Sequence, residues 1–274
     1  MKQRDRKQAN QLSWRAALGR RLAARRGRPR STLRPVGNPC HIAEWSRPVI
    51  NVFPHDTTAF TQGLLFHNNE LYEGTGMYKE SKLKKVDVST GKTLQQTALD
   101  PKYFGEGITI LNNKIYQLTW QDHKVFVYDL QFKRLPQVYD WPYEGWGITT
   151  DGSQLIISTG GNSLYFVDPK EKELKIVRSV GVADNNGYVE NINELEWVDG
   201  FIYANKYLTD QILKIDPTSG QVVGRADLTG IMGKNNIAPA VRSDVLNGIA
   251  YHPVKKTFFI TGKYWPALFE VRFQ

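Results

Sequence analysis

Cysteine is nearly missing from this chain. Cys40 is the only one in 274 residues, which excludes an intrachain disulfide and any zinc site built on paired cysteines. No apolar run approaches the ~18 residues needed to cross a membrane as a helix. The most apolar part of the N-terminal region, LSWRAALGRRLAA, is broken by arginines and lacks the uninterrupted core of a secretory signal. That leaves a cytoplasmic default for the compartment. Helix patterning is scarce as well: outside the N-terminal region, only the stretch near Asn235 to Arg242 is a candidate. The five histidines (His41, His55, His67, His123 and His252) show no metal-ligand spacing and are expected on turns and the surface.

Acid is missing from one end. Residues 1–40 hold 12 of the 36 Lys and Arg and a single acid, Asp5, so they carry +11 of a formal net charge of +9 and leave the remainder at −2. The basic character therefore belongs to the tail, and the body has no electrostatic footprint for nucleic acid. An arginine-rich, acid-poor run of this kind reads as a solvated, disordered extension, with an organelle transit segment or a basic arm as alternatives. Residues 1–45 are set apart on that ground from a domain spanning 46–274.

What fills the body is strand. Five stretches align at their starts: QGLLF from Gln62, EGITI from Glu106, WGITT from Trp146, NELEW from Asn193 and NGIAY from Asn247. Each is followed by a turn (HNN, LNN, DGS, VDG, HPVKK) and a second strand (LYEGTG, IYQLTW, LIISTG, IYANKY, FFITGK). Third strands such as KVFVYDL and QILKIDP follow, and TLQQTAL supplies a fourth. Units of about 40–50 residues with four strands each are propeller blades. The fifth copy ends with the chain and lacks its outer strand. PVINVFP, Pro48 to Pro54, has the right character to supply it by pairing with ALFEVRF, which removes an open sheet edge. The expected architecture is an all-β, five-bladed propeller, and a closed ring makes a monomer the default.

Equivalent positions in such a ring need not carry equivalent residues. The inner strands open on Gln62, Glu106, Trp146, Asn193 and Asn247, and the second strands close on Gly76, Trp120, Gly160, Tyr207 and Lys263. Of these ten, Glu106 is the only acid and Lys263 the only base. Set among Phe104, Trp120, Trp146 and Tyr207, the Glu106 carboxyl is expected to be partly desolvated and its pKa raised, which suits proton transfer. The plainer alternative is an ion pair with Lys263 plugging the channel mouth. Glu194 and Glu196 share one strand face and could reach the pocket or serve the blade alone. Asn185 and Asn186 read as a turn before Gly187.

The motifs FTQGLLFHNNELYEGTGMYKES, YFGEGITILNNKIYQLTW, EGWGIT, NELEWVDGFIYAN, DVLNGIAY and TGKYWPALFEV resemble the plant- and bacterial-type glutaminyl-peptide cyclotransferases, the glutamine cyclotransferase family. The resemblance spans Arg47 to Gln274. It implies a five-bladed propeller that turns the N-terminal glutamine of peptides into pyroglutamate with loss of ammonia, without a cofactor or metal. It also adds export to the compartments to be considered. By resemblance Glu106 is the acid/base, and Phe60, Gln62, Phe104, Trp120, Trp146, Asn193 and Lys263 belong to the site. Two departures stand out. Tyr207 replaces a usual pocket Trp, and Lys79 replaces a usual glycine on a loop, with little effect expected.

The implied reaction is an intramolecular acyl transfer and needs no enzyme nucleophile, so the want of a Ser/His/Asp or Cys/His set does not oppose it. Phe60, Phe104, Trp120, Trp146 and Tyr207 would fold the substrate side chain toward a ring. Gln62, Asn193 or Lys263 would donate to the oxyanion. Two other classes stay open. A calcium-dependent, lactonase-like propeller hydrolase could use Gln62, Glu106, Asn193 and Asn247 as oxygen ligands. A non-catalytic protein-binding propeller could use aromatics such as Tyr264 and Trp265, expected to be exposed.

Overall fold

Residues 42–45 and 48–273 are described in the computed structural model; Cys40, His41 and all but the last four residues of the 1–45 extension lie outside them. Two short N-terminal strands come first, β1 (Ala43–Glu44) and β2 (Val49–Pro54). The first blade is β3 (Thr61–His67), β4 (Glu70–Thr75), β5 (Lys82–Val86) and β6 (Thr93–Ala98). The second is β7 (Gly105–Leu111), β8 (Lys114–Thr119), β9 (Lys124–Asp129) and β10 (Arg134–Asp140). The third is β11 (Ile148–Thr150), β12 (Leu155–Ser158), β13 (Ser163–Pro169) and β14 (Leu174–Gly181). A small hairpin, β15 (Ala183–Asp184) and β16 (Gly187–Tyr188), turns at Asn185 and Asn186 as expected.

The fourth blade is β17 (Ile192–Val198), β18 (Phe201–Lys206), β19 (Gln211–Ile215) and β20 (Val222–Asp227), widened by β1 in parallel pairing with β20. The fifth is β21 (Leu246–His252), β22 (Thr257–Gly262) and β23 (Ala267–Val271). Its outer strand is β2, antiparallel to β23 with Val49 opposite Val271 and Pro54 opposite Ala267. The ring therefore closes by the pairing expected from PVINVFP. The Asn-Asn pairs linking inner to second strands are left-handed at both residues, Asn68 and Asn69 at φ 51 and 62 and Asn112 and Asn113 at φ 52 and 57. That is the twist a two-residue hairpin turn demands.

Among the described residues, five apolar clusters each join two neighbouring blades. Leu65, Tyr72 and Leu83 meet Ile108, Ile115 and Phe126 between blades one and two. Leu64 and Leu71 meet Ala250, Phe259 and Leu268 between blades one and five, across the seam. Each fully buried side chain of this size contributes roughly 1.5–3 kcal/mol, so the wheel is held by its gaps between blades.

At the axis the inner strands come closer than side chains normally allow. Four of the five repeats place glycine after the axial residue, and a Cβ on Gly147 would fall 2.0 Å from the Asn193 carbonyl oxygen. The fourth repeat has Glu194 at that step. Its carboxylate accepts the Leu64 amide of blade one (3.2 Å) and the Ile249 amide of blade five (2.9 Å), and Glu196 accepts the Tyr251 amide (2.7 Å). Both carboxylates thus stitch inner strands together.

Three expectations need correction. The helical turn is Ile231–Lys234, here α1, ahead of the stretch from Asn235; Asn236 takes a left-handed φ of 58 and Pro239 follows, which ends helix there. Tyr264 and Trp265 are buried, not exposed: the Tyr264 ring packs on Phe60 at 5.2 Å under Arg242, and the Trp265 indole occupies the space a side chain on Gly262 would fill. His55 is buried as well, bonded to Glu73 and to the Trp265 carbonyl.

Candidate active site

Alternation in a strand sends successive side chains to opposite faces, and the axial residues escape it through bulges. Pairing of β3 with β4 shifts register between Thr61 and Gly63, that of β7 with β8 between Gly105 and Ile108, that of β17 with β18 between Ile192 and Leu195, and that of β21 with β22 between Leu246 and Ile249. The extra residue in each case re-aims a side chain, and the residues concerned are Gln62, Glu106, Asn193 and Asn247. All four are buried. In the third blade Trp146 precedes the strand, its amide donating to the Ser158 carbonyl at 3.1 Å.

The aromatic residues form a closed circuit. Phe60 meets Phe104 edge-on at 5.9 Å, and Phe104 meets Trp120 at 5.6 Å. The indole N–H groups of Trp120 and Trp146 both donate to Glu144 Oε2, at 3.1 and 3.2 Å. Trp146 then meets Tyr207 edge-on at 5.4 Å. Lys263 Nζ lies over the Tyr207 ring at 4.9 Å and over the Phe60 ring at 4.5 Å, which returns the circuit to its start. The ring position Gly160 leaves room for this wall: at φ 73, a Cβ there would strike the Trp146 indole at 2.5 Å. Tyr207, in place of a Trp, keeps contact with both Trp146 and Lys263.

Glu106 and Lys263 do not behave as a plain ion pair, which would hold the acid low and the base high. Burial pushes the Glu106 carboxyl well above the usual carboxylate range, against the pull of Lys263 and with the help of the Glu144 charge. Burial likewise brings the Lys263 ammonium down to about 8, against the pull of Glu106 and Asp244. Burial thus favours the neutral form of both groups, the condition in which a carboxyl can carry a proton. Asn193 is 2% exposed, and its Oδ1 has no hydrogen-bond partner among the described residues.

Two side chains at this mouth escaped the repeat alignment. Glu144 sits outside the aligned positions although it opens EGWG, and its Oε1 also accepts the Gln121 amide at 3.2 Å. Tyr78, 44% exposed, meets Phe104 edge-on at 5.5 Å. Burial first, then the charges of Asp122 and Glu106, raise its phenol. It is flanked by Met77 at φ 90 and Lys79 at φ 68. Left-handed backbone is where glycine is favoured, which explains why a lysine at 79 is a departure.

Three comparisons bear on the whole. The sequence profile described as "Glutamine cyclotransferase" matches residues 28–273. A "Glutaminyl-peptide cyclotransferase" of Arabidopsis thaliana is 38% identical over 229 residues, 82% of this chain and 70% of that protein. The crystal structure of Myxococcus xanthus glutaminyl cyclase superposes with a TM-score of 0.78 at 34% identity, covering 86% of this chain and 99% of that one.

Proposed function

The chain belongs to the glutamine cyclotransferase family, and on that premise we propose which of its residues carry the reaction. The enzyme converts N-terminal glutamine of peptides to pyroglutamate with release of ammonia. Neither of the other classes left open by the sequence is favoured once the family is known.

The α-amine must reach the carbon of its own side-chain amide, so the flexible side chain has to be held nearly closed. Phe60, Phe104, Trp120, Trp146 and Tyr207 supply walls for that, and proximity in well-oriented intramolecular reactions contributes up to about 7–11 kcal/mol. Glu106 takes the proton from the α-amine and returns one to the departing nitrogen. The observation that carries this assignment is a raised carboxyl, 5% exposed, re-aimed by a strand bulge and within the fields of Lys263 and Glu144, the two charged groups that link the rings into a circuit. Lys263 keeps that carboxyl within reach of ionisation, and Asn193 and Gln62 bind the polar atoms of the bent substrate. The closed ring supports a monomer as the working unit.

The test is ammonia release from a Gln-initiated dipeptide, with and without a chelator. Glu106→Gln is expected to fold normally and lose about 10²–10⁴-fold in kcat, the range for a removed acid/base. Turnover within a few-fold of the parent would take Glu106 out of that role, and turnover abolished by the chelator would mean a metal acts in the reaction.

A further inference from the structure

Gln62 and Asn247 meet at the axis, and their hydrogen bonds settle which way the Gln62 amide faces. Asn247 Nδ2 donates to the Thr61 carbonyl oxygen at 3.0 Å. A carbonyl can only accept, so the nitrogen of Asn247 must lie on that side. The same nitrogen lies 3.2 Å from the near atom of the Gln62 amide, which must then be the oxygen. The far atom is Nε2, a donor. It makes no hydrogen bond among the described residues, whereas the residue itself is 1% exposed. The side chain runs along the pocket wall: a Cβ on Gly76 would meet Phe104 Cε1 at 2.5 Å and Gln62 Cγ at 3.0 Å.

We propose that Asn247 is a positioning residue that holds Gln62 with Nε2 facing the substrate, making Gln62 the donor to the oxyanion of the cyclisation. This rests on the reaction proposed above. In that reaction the α-nitrogen bonds to the side-chain amide carbon, and the carbonyl oxygen takes up the electron pair of the broken π bond. The pair returns as the bond to the leaving nitrogen breaks, and Glu106 carries the proton from the α-amine to the ammonia. The charge that appears and disappears on the oxygen is what Gln62 Nε2 meets. A fixed donor serves this better than a rotating one because no reorientation is required as charge develops. Without Asn247, the Gln62 amide could present its oxygen instead and repel the intermediate.

The experiment is a double-mutant cycle in kcat on a Gln-initiated dipeptide, with thermal melts of each variant. Gln62→Glu replaces the donor by an acceptor and is expected to lower kcat about 10²–10³-fold with KM within a few-fold. Asn247→Ala is expected to lower kcat roughly tenfold in the parent and to add nothing in the Gln62→Glu background, because its effect passes through Gln62. A merely structural Asn247 would cost the same factor on both backgrounds, and that result, or Gln62→Glu turnover within a few-fold of the parent, overturns the proposal. If Asn247→Ala melts early, Asn247→Ser takes its place in the same cycle. Glu106→Gln run alongside separates the two readings: its survival would sink the acid/base assignment while the cycle still reports on the oxyanion donor.

Discussion

Glu73 and Glu106 are carboxylates of adjacent blades, both buried, and they end in opposite states. Glu73 accepts from Lys84 Nζ at 2.9 Å, from His55 Nε2 at 3.0 Å and from Thr61 Oγ1 at 2.8 Å. His55 bonds a carboxylate through one ring nitrogen and the Trp265 carbonyl through the other at 2.8 Å, so both nitrogens are donors and the ring is charged. Burial alone would raise Glu73, but Lys84 and His55 outweigh it and hold the carboxyl far below its ordinary range. Around Glu106, burial outweighs the pull of one cation, Lys263, which itself lies over the Phe60 and Tyr207 rings, and the Glu144 carboxylate adds to the rise. Equal burial thus makes a permanent anion in one place and a proton carrier in the other. The neighbours decide: Lys84 and His55 for Glu73, and Lys263 from the fifth blade with Glu144 for Glu106.

The contrast breaks most clearly by deleting one charge at a time. Glu73→Gln leaves a buried imidazolium without its carboxylate and a buried lysine with Asp56 alone, and is expected to lower unfolding stability by about 3–5 kcal/mol. Glu106→Gln removes a desolvated acid and is expected to melt at or above the parent temperature. Thermal or urea unfolding of both variants at neutral pH reads the difference, and an equal loss in both would erase it.

A third kind of buried carboxyl sharpens it. Glu196 is pushed up to about 8 by burial, with the Tyr251 amide opposing. A group whose folded pKa is raised contributes stability at low pH that is lost as pH climbs from its unfolded value, near 4.5, through 8. Each unit of such a shift is worth about 1.4 kcal/mol. Glu196→Gln keeps an oxygen for the Tyr251 amide and is expected to flatten the fall in stability across that window by a few kcal/mol. Glu73 works in the other direction: its stabilisation is present above its unfolded pKa and lost on acidification.

Glu144 tests the electrostatic side of the pocket. With Glu144→Gln the Glu106 carboxyl loses a negative neighbour, ionises more easily, and the acid limb of the kcat profile is expected to move to lower pH. Glu144→Ala also frees both indoles, so tryptophan emission should change in that variant more than in Glu144→Gln. An unmoved pH profile in Glu144→Gln would mean the carboxylate acts on the indoles alone. The smallest effect is expected at Lys79: Lys79→Gly relieves a left-handed side chain and should raise stability by roughly 0.5–1 kcal/mol after the added freedom of the unfolded chain is counted.

The propeller was legible because its strands repeat with glycines and turn residues at fixed steps, and the axial residues were legible because they differ where a frame predicts sameness. The bulges that re-aim Gln62, Glu106, Asn193 and Asn247 were not, since an extra residue in a strand carries no composition signal of its own. His55, Tyr264 and Trp265 were misplaced for a related reason. They lie on connections that, in a closed ring, tuck between blades, and a sequence pattern reports periodic burial far better than burial by a loop. Glu144 carries no such signal, because its part is to accept from two indoles brought together only by the fold.

Closing the wheel by pairing β2 with β23 has a consequence in time. Val49 faces Val271, so the seam joins points separated by about 220 residues, and bringing such ends together from a free coil costs roughly 5 kcal/mol of chain entropy. On a ribosome, four blades can stack while the partner of β2 has yet to be made, and the hub that carries Glu106, Gln62 and Asn247 cannot be complete before then. Maturation of catalytic competence should therefore arrive in a single late step, timed by the docking of β23 on β2 and not by the order in which the pocket residues are synthesised.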